Sequence, residues 1–438
     1  MPPSAVRVGL LGCGVVGSGF VELLAERERL IRDAVGAPIR IARIAVRDPA
    51  KARECLLVDP SGAPVGTPVS TGTDPLAVAR DEDVDLLVEL VGGEAMLEPV
   101  KTALRRGVPV VTANKHLMAL HGEELERLAS DSRTTIRYEA SAGGGIPVLQ
   151  ALDHGLRTEN FSLLVAILNG TTNFILSTME RDGRDFAEAL EAAQRLGFAE
   201  ADPTLDLSGQ DTAQKLSILV RRAFRMDVKL DSIPTEGIIG MELEDLRQAD
   251  RFGYTVKLLG IALRHPEGLD VRVHPAFIPK RYLLAAVRDE FNGIYLRGEA
   301  TGSMLFYGKG AGSRPTAQAV LGDVMVTARE IVAGKKVLGS AVPHGPERRL
   351  SLDAVRTKYY LRLLVDDRPG VLAQVAACLG GSNVSVAQMF QGEGVRGEAS
   401  ITILTHLAMD RNVREAVKGI AALGSMRKTP RAVRIFDV

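Results

Sequence analysis

Apolar residues along this chain fall into short runs separated by helical spacings, and the two patterns alternate. Val6 to Leu11 is a short apolar run, followed by Gly12-Cys13-Gly14-Val15-Val16-Gly17 and then by helical spacing through Phe20, Leu23 and Leu24. This predicts strand, tight turn, helix. Ile39 to Val46 predicts a second strand. Val84 to Val91 predicts a third, bounded by Gly92 and Gly93, and PVVTANK a fourth after a helix ending near Gly107. Runs this continuous suit strands covered on both faces. Their alternation with helices predicts an α/β fold with a parallel sheet. Ala50 to Gly72, rich in Pro and Gly, reads as an irregular excursion.

The texture changes near Ile136. YEASAGGGIP is dense in glycine, and mixed strand and helix patterns follow to about residue 345. An α+β second domain is expected over 136–340, after a parallel α/β domain over 1–135. From Tyr307, YGKGAGSRPTAQAV predicts a second glycine loop entering a helix, with 305–340 returning to the first domain. SAVPHGPERR, from Ser340, suggests a linker over 341–355. Beyond it, 356–438 reads strand, helix, two strands, helix, strand, the βαββαβ order of a ferredoxin-like unit.

Composition narrows the function classes. The 438 residues carry 54 basic and 54 acidic side chains, so no basic excess points to nucleic acid. Cys13, Cys55 and Cys378 are odd in number and far apart. They form neither a disulfide framework nor a zinc pattern. No apolar run approaches the ~20 residues of a membrane helix, and the N-terminal residues lack the pattern of a signal peptide. The expectation is a cytoplasmic protein with no membrane or nucleic-acid partner.

Gly12, Gly14 and Gly17 form G-x-G-x-x-G between a strand and a helix. The first glycine permits the turn, the second leaves room for a pyrophosphate, and the third lets helix and strand approach. The helix start offers N–H groups to the phosphates. A turn that only packs closely is the plainer alternative. After the second strand the chain reads AVRDPAKAR, and Arg47 there favours NADP, with NAD still open. Lys115 ends the expected strand PVVTANK, where open α/β sheets bind ligands, although a solvated lysine would look the same. Asp211 and Lys215 lie four apart and share one helical face. Ser208-x-x-Asp211 resembles a capping pattern, and a surface pair of this kind contributes only ~0.2–0.5 kcal/mol. No cysteine lies between residues 56 and 377, which argues against a thiohemiacetal mechanism. The scattered histidines argue against catalytic zinc.

The stretch AQRLGFAEADPTLDLSGQDTAQK, from Ala193 to Lys215, resembles the signature of homoserine dehydrogenases. GLLGCGVVG, TANK, EASAGGGIP, ILNGTTNFIL and GAGSRPTAQAV agree with that family in order, and the resemblance covers about residues 6 to 340. DRPGVLAQVA and NVSVAQM resemble an ACT domain, a module that often binds amino acids. Lys309 stands where the family often has proline, and Ala142-Gly143 departs from its commonest form.

The resemblance implies a Rossmann-type domain, a catalytic and dimerisation domain, and a regulatory ACT domain. It implies reversible reduction of aspartate 4-semialdehyde to homoserine with NADPH or NADH, on the route to threonine and methionine. It makes Lys215 the proton donor and Lys115 its partner, with Asp211 organising them. Glu200, Asp206 and Asp211 would bind the substrate. Gly12, Gly14, Val15, Val16, Gly17, Arg47, Gly92, Thr112, Lys115, Gly197, Gly310 and Gly312 would surround the cofactor. Glu139, with the carbonyls of Ala142, Gly144 and Ile146, would hold a monovalent cation, normally sodium. Threonine would act near Arg368, Gly370 and Asn383, and the chain would form a homodimer or homotetramer. Two other readings are another small amino-acid-like substrate and an amino-acid-binding regulator with an inactive core.

Overall fold

The computed structural model describes residues 3–51, 70–334, 348–392 and 397–437. The chain groups into two compact units. One comprises residues 1–160, 214–232 and 306–346, the other 161–213, 233–305 and 347–438.

The first unit is built on six parallel strands: β1 (Val6–Leu11), β2 (Ile39–Ala45), β3 (Ser70–Gly72), β4 (Leu86–Glu89), β5 (Val110–Thr112) and β6 (Ile136–Arg137). Their order across the sheet is β3-β2-β1-β4-β5-β6, all pairs parallel. That is the doubly wound dinucleotide-binding order. Sheet residues Val8, Leu10, Leu86, Val88 and Val111 form a core with Phe20, Leu23 and Leu24 of helix Val15–Glu26. Ala317, Val320, Leu321 and Val324 of helix Ser313–Val332 join the same core. This is why the second glycine loop belongs with the first. The texture change at Ile136 is not a break in this unit, because Ile136–Arg137 is its sixth strand.

The second unit holds a sheet of ten strands. They are β7 (Phe161–Ile167), β8 (Tyr254–His265), β9 (Gly268–Pro279), β10 (Phe291–Gly298), β11 (Gly302–Lys309), β12 (Arg356–Asp366), β13 (Val386–Gln391), β14 (Glu398–Thr405), β15 (Ala408–Met409) and β16 (Arg431–Ile435). The order is β11-β10-β7-β8-β9-β16-β12-β14-β13, with β15 beside β12. β12, β13, β14 and β16, with helices Val371–Gly381 and Asp410–Ala421, make the βαββαβ unit. That unit does not stand apart on a tether. β16 pairs in parallel with β9 through Arg434↔Ala276 and Ile435↔Phe277, and antiparallel with β12. Phe436 packs with Leu163, Val165, Leu259 and Ile278 of the neighbouring strands. Residues 341–347 of the expected linker lie outside the described residues. Arg349 bridges in parallel to Leu269 of β9.

Polar residues in the middle of this sheet are buried. Asp270, Arg272 and His274 alternate along β9 and are each under 5% exposed. Arg272 Nε donates to His274 Nε2 at 3.0 Å, and His274 Nδ1 lies 2.9 Å from the Pro275 carbonyl. The ring is therefore neutral, accepting from Arg272 and donating to Pro275. Burial, then the charges of Arg434 and Arg272, hold its pKa well below the usual histidine range. No helix among the described residues is long and apolar enough to cross a membrane.

Candidate active site

The turn after β1 has the shape the fingerprint calls for. Gly12 has φ +89°, and a Cβ there would meet the Leu90 carbonyl oxygen at 3.0 Å. A Cβ at Gly17 would lie 2.5 Å from the Gly12 oxygen. Gly14 has nothing within 4 Å of its missing side chain and is exposed. It begins helix Val15–Glu26, and no side chain caps that helix. Its first N–H groups are therefore not taken by a side-chain cap, the condition for binding a phosphate. Val15 is exposed and Val16 half-buried. Ser313 Oγ donates to the Val15 carbonyl at 2.7 Å. Gly312 (φ +115°) begins helix Ser313–Val332 with no side-chain cap, so two uncapped helix starts meet at this turn. Gly310 is buried instead, its carbonyl packed where a Cβ on Gly144 would fall. Arg47 is exposed just after β2. The nearby Arg53 lies outside the described residues.

Glu89 organises the next strand ends, and sequence reasoning missed it. It is fully buried at the end of β4. Its carboxylate accepts from Thr112 Oγ1 at 2.5 Å, Val91 N at 2.8 Å and Gly92 N at 2.9 Å. Burial pushes its pKa up, and the Thr112 hydroxyl and the turn N–H groups oppose that. Asn114 donates its backbone N–H to Thr112 Oγ1 and its amide to the Gly93 carbonyl. Thr112, Gly92 and Asn114 are thus one hydrogen-bonded patch. Its signal was an acid inside the run LLVELV. Lys115 does not end a strand: β5 stops at Thr112, and Lys115 opens helix Lys115–Asp131, capped by Asn114. A cation in a first turn works against the helix dipole, so helix stability does not explain this lysine.

Helix Lys115–Asp131 lies beside helix Gln210–Ala223. Gln214 Nε2 and His116 Nδ1 are 3.2 Å apart, and Arg221 Nη1 donates to the Met118 carbonyl at 2.8 Å. Lys115 and Lys215 are the immediate neighbours of the touching pair. Lys215 is 9% exposed and Asp211 3%, so neither is a solvated surface charge. Asp211 sits in the first helical turn, one turn before Lys215. Ser208 does not start that helix. It closes the short helix Thr204–Leu207 and its hydroxyl donates to the Leu205 carbonyl. Gly209 (φ +83°) makes the turn between the two helices.

The carboxylates of the signature are gathered by Asn169, also missed from sequence. Its amide nitrogen is 2.7 Å from Asp206 Oδ1 and 2.8 Å from Asp211 Oδ2. Asp206 is half-buried, while Glu200 and Gly197 are exposed. Gly197 (φ +77°) bonds back to the Gln194 carbonyl at the end of helix Phe186–Arg195.

The Glu139 loop is buried. Glu139 accepts from Leu149 N at 2.9 Å and Gln150 N at 2.6 Å, capping helix Val148–Asp153. Burial and the Asp323 carboxylate push its pKa up to about 8. Ile146 O already accepts from Val148 N. Gly144 (φ +60°) is pressed on Gly310. Each Glu139 carboxylate oxygen accepts one N–H from that helix start, which leaves acceptor capacity on both. Among the described residues, no group of three or more His, Cys, Asp or Glu is placed to hold a metal.

Comparison with known proteins bears on these features. The homoserine dehydrogenase NAD-binding model matches residues 12–139, the homoserine dehydrogenase catalytic model 147–325, and the ACT model 359–424. A homoserine dehydrogenase of Helicobacter pylori is 38% identical over 98% of this chain and 99% of its own. One from Neisseria gonorrhoeae is 37% identical over 98% of both. The crystal structure of a homoserine dehydrogenase from Thiobacillus denitrificans matches with a TM-score of 0.91 at 39% identity, over 99% of this chain and 98% of that one. With a dinucleotide turn, two adjoining lysine-bearing helices and a bridged carboxylate pair, the chain belongs to the homoserine dehydrogenase family, nicotinamide-dependent oxidoreductases acting on a CH–OH group.

Proposed function

We propose that the protein reversibly reduces L-aspartate 4-semialdehyde to L-homoserine on the route to threonine and methionine. The observation that supports this most is the helix Gln210–Ala223, which presents a buried Asp211 and a buried Lys215 one turn apart. The bound nicotinamide cofactor supplies the hydride. As negative charge grows on the carbonyl oxygen, the Lys215 ammonium stabilises it and delivers the proton. Lys115 supports it from the next helix. Asp206, Asp211 and Glu200 hold the substrate ammonium and fix the aldehyde's position.

Gly12, Gly14, Val15, Val16 and Gly17 hold the pyrophosphate. Gly92, Thr112, Gly310 and Gly312 shape the rest of the cleft, with Gly197 near the cofactor. Arg47, exposed beyond β2, favours the 2′-phosphate of NADP. Glu139, with the carbonyls of Ala142, Gly144 and Ile146, is read as a sodium site. Glu139 and Asp323 are neighbouring buried carboxyls, and a cation beside them would offset the cost of burying their charge.

The ACT unit is read as a threonine sensor. A cavity of about 380 Å³ is lined by Arg368, Gly370, Val371 and Gln391 among others. Asn383 (φ +55°) is not among its lining residues. The sheet ends at β11 and β13, both largely open to solvent, and edge strands of this kind commonly pair with another copy. A homodimer or homotetramer follows. The test is a steady-state assay with aspartate semialdehyde, NADPH against NADH, with and without threonine. Absence of turnover with either cofactor would overturn the reading.

A further inference from the structure

Asn169 follows β7 and caps helix Gly170–Asp182, its Oδ1 accepting from Thr172 N at 2.8 Å. With the carbonyl end committed to the cap, the NH2 end has one direction left. Its nitrogen is 2.7 Å from Asp206 Oδ1 and 2.8 Å from Asp211 Oδ2. Each amide hydrogen thus serves a different carboxylate, one from helix Thr204–Leu207 and one from helix Gln210–Ala223.

The fold, rather than the carboxylates, sets where Asn169 stands. A Cβ at Gly170 would lie 2.8 Å from the Glu290 carbonyl oxygen. Thr171 Oγ1 donates to the Phe198 carbonyl at 2.6 Å. Asn173 Nδ2 donates to the carbonyls of Asp289 and Phe291 and its Oδ1 accepts from Lys257. Thr171 and Asn173 thus anchor the helix start, Gly170 lies close against Glu290, and Asn169 is 4% exposed. Two carboxylates brought this close repel, and each would favour protonation of the other. A neutral double donor between them offsets that repulsion.

We propose that Asn169 is a positioning residue. It holds Asp206 and Asp211 together as a doubly anionic seat for the substrate's α-ammonium, and so sets the preference for an aminated four-carbon substrate. This rests on the reading of Asp206 and Asp211 as substrate groups.

The test uses Asn169→Ser and Asn169→Asp in the full-length protein. Ser, Asp and Asn cap helices about equally well, so both variants keep the helix start. The expected result is a roughly 10- to 100-fold rise in KM for homoserine, the range for losing hydrogen bonds to charged groups. The rise is larger for Asn169→Asp, which adds a third carboxylate. KM for the cofactor stays near wild type. Inhibition by 4-hydroxybutyrate, which lacks the ammonium, is unchanged. Equal weakening of both ligands would mean a merely structural role and overturn the proposal. So would an unchanged homoserine KM in both variants while Asp211→Asn raises it. If Asp211→Asn also leaves KM and kcat intact, the carboxylate reading itself fails, and this inference with it.

Discussion

Arg221 packs directly against Gly122: a Cβ at position 122 would come within 2.0 Å of the Arg221 Nη1. The guanidinium cannot simply step aside. It is 1% exposed, donates to the Met118 carbonyl, and pairs with Asp227 through Nε at 2.8 Å and Nη2 at 2.7 Å. Through this contact the two lysine-bearing helices are held at a fixed spacing.

Gly122→Ala is therefore expected to destabilise, although alanine gains about 1 kcal/mol in helix propensity. Overpacking costs about 1–3 kcal/mol, and displacing Arg221 strands a buried charge at a further cost. Chemical denaturation should show a net loss. Turnover should fall with it, because Lys115 and Lys215 lie on the helices being pushed apart.

Lys215→Ala should lower kcat by roughly 10²- to 10⁴-fold, the usual contribution of a positioned acid, with NADPH affinity near wild type. Lys115→Ala should be the milder of the two. Cofactor binding by fluorescence and turnover by NADPH absorbance separate binding from chemistry. Wild-type turnover in Lys215→Ala would remove that residue from its role.

Arg47→Ala should raise KM for NADPH by up to about fivefold, from the ~0.2–1 kcal/mol of an exposed charge contact, and leave KM for NADH unchanged. Equal effects on both cofactors would mean that Arg47 does not meet the 2′-phosphate.

His274 predicts a pH response. Its pKa is held low in the folded protein by burial and by two arginines. Its contribution to stability is full above the ordinary histidine pKa and is lost as pH falls toward the folded value, because the unfolded chain takes up the proton first. The slope is at most about 1.4 kcal/mol per pH unit. His274→Gln should flatten the fall in stability from about pH 6.5 downward, whatever its effect at pH 8. Thermal melts across that range, with an unchanged slope as the contrary outcome, decide it.

Threonine sensing should be tested by point variants, such as Arg368→Ala, rather than by removing the module. Phe436 packs in the core of the neighbouring strands and β16 pairs with β9 at Ala276 and Phe277. A deletion would open both and confuse lost regulation with lost folding. Threonine inhibition that is unchanged in Arg368→Ala would move the effector elsewhere.

Much of the site's scaffold could be read along the chain because it is local. The strands of the first sheet are continuous apolar runs, the glycines act within six residues, and Asp211 and Lys215 are one turn apart. What escaped depends on partners distant in sequence. Glu89 meets Thr112 across 23 positions, and Asn169 meets Asp211 across 42. Neither side chain has a local pattern that reports its partner. Ser208 misled for the opposite reason: a local capping pattern was present, but the preceding short helix used the serine first. Along β9, Asp270, Arg272 and His274 alternate as a solvent-facing edge would, yet the βαββαβ unit continues the sheet and covers them.

The placement of β16 also bears on how the molecule is made. A ribosome delivers the chain from its N-terminal end, and domains generally fold in that order. β8 and β9 can pair as soon as their hairpin emerges, and residues 234–236 and 348–350 bond to the far edge of β9 at Val273 and Leu269, but the edge at Ala276 and Phe277 waits for about 150 further residues. Only when residues 431–435 appear can that part of the edge be closed and Phe436 enter the core. In a nascent chain this is the stretch most in need of chaperone cover, and stalling before residue 431 would leave β9 open to the wrong neighbour.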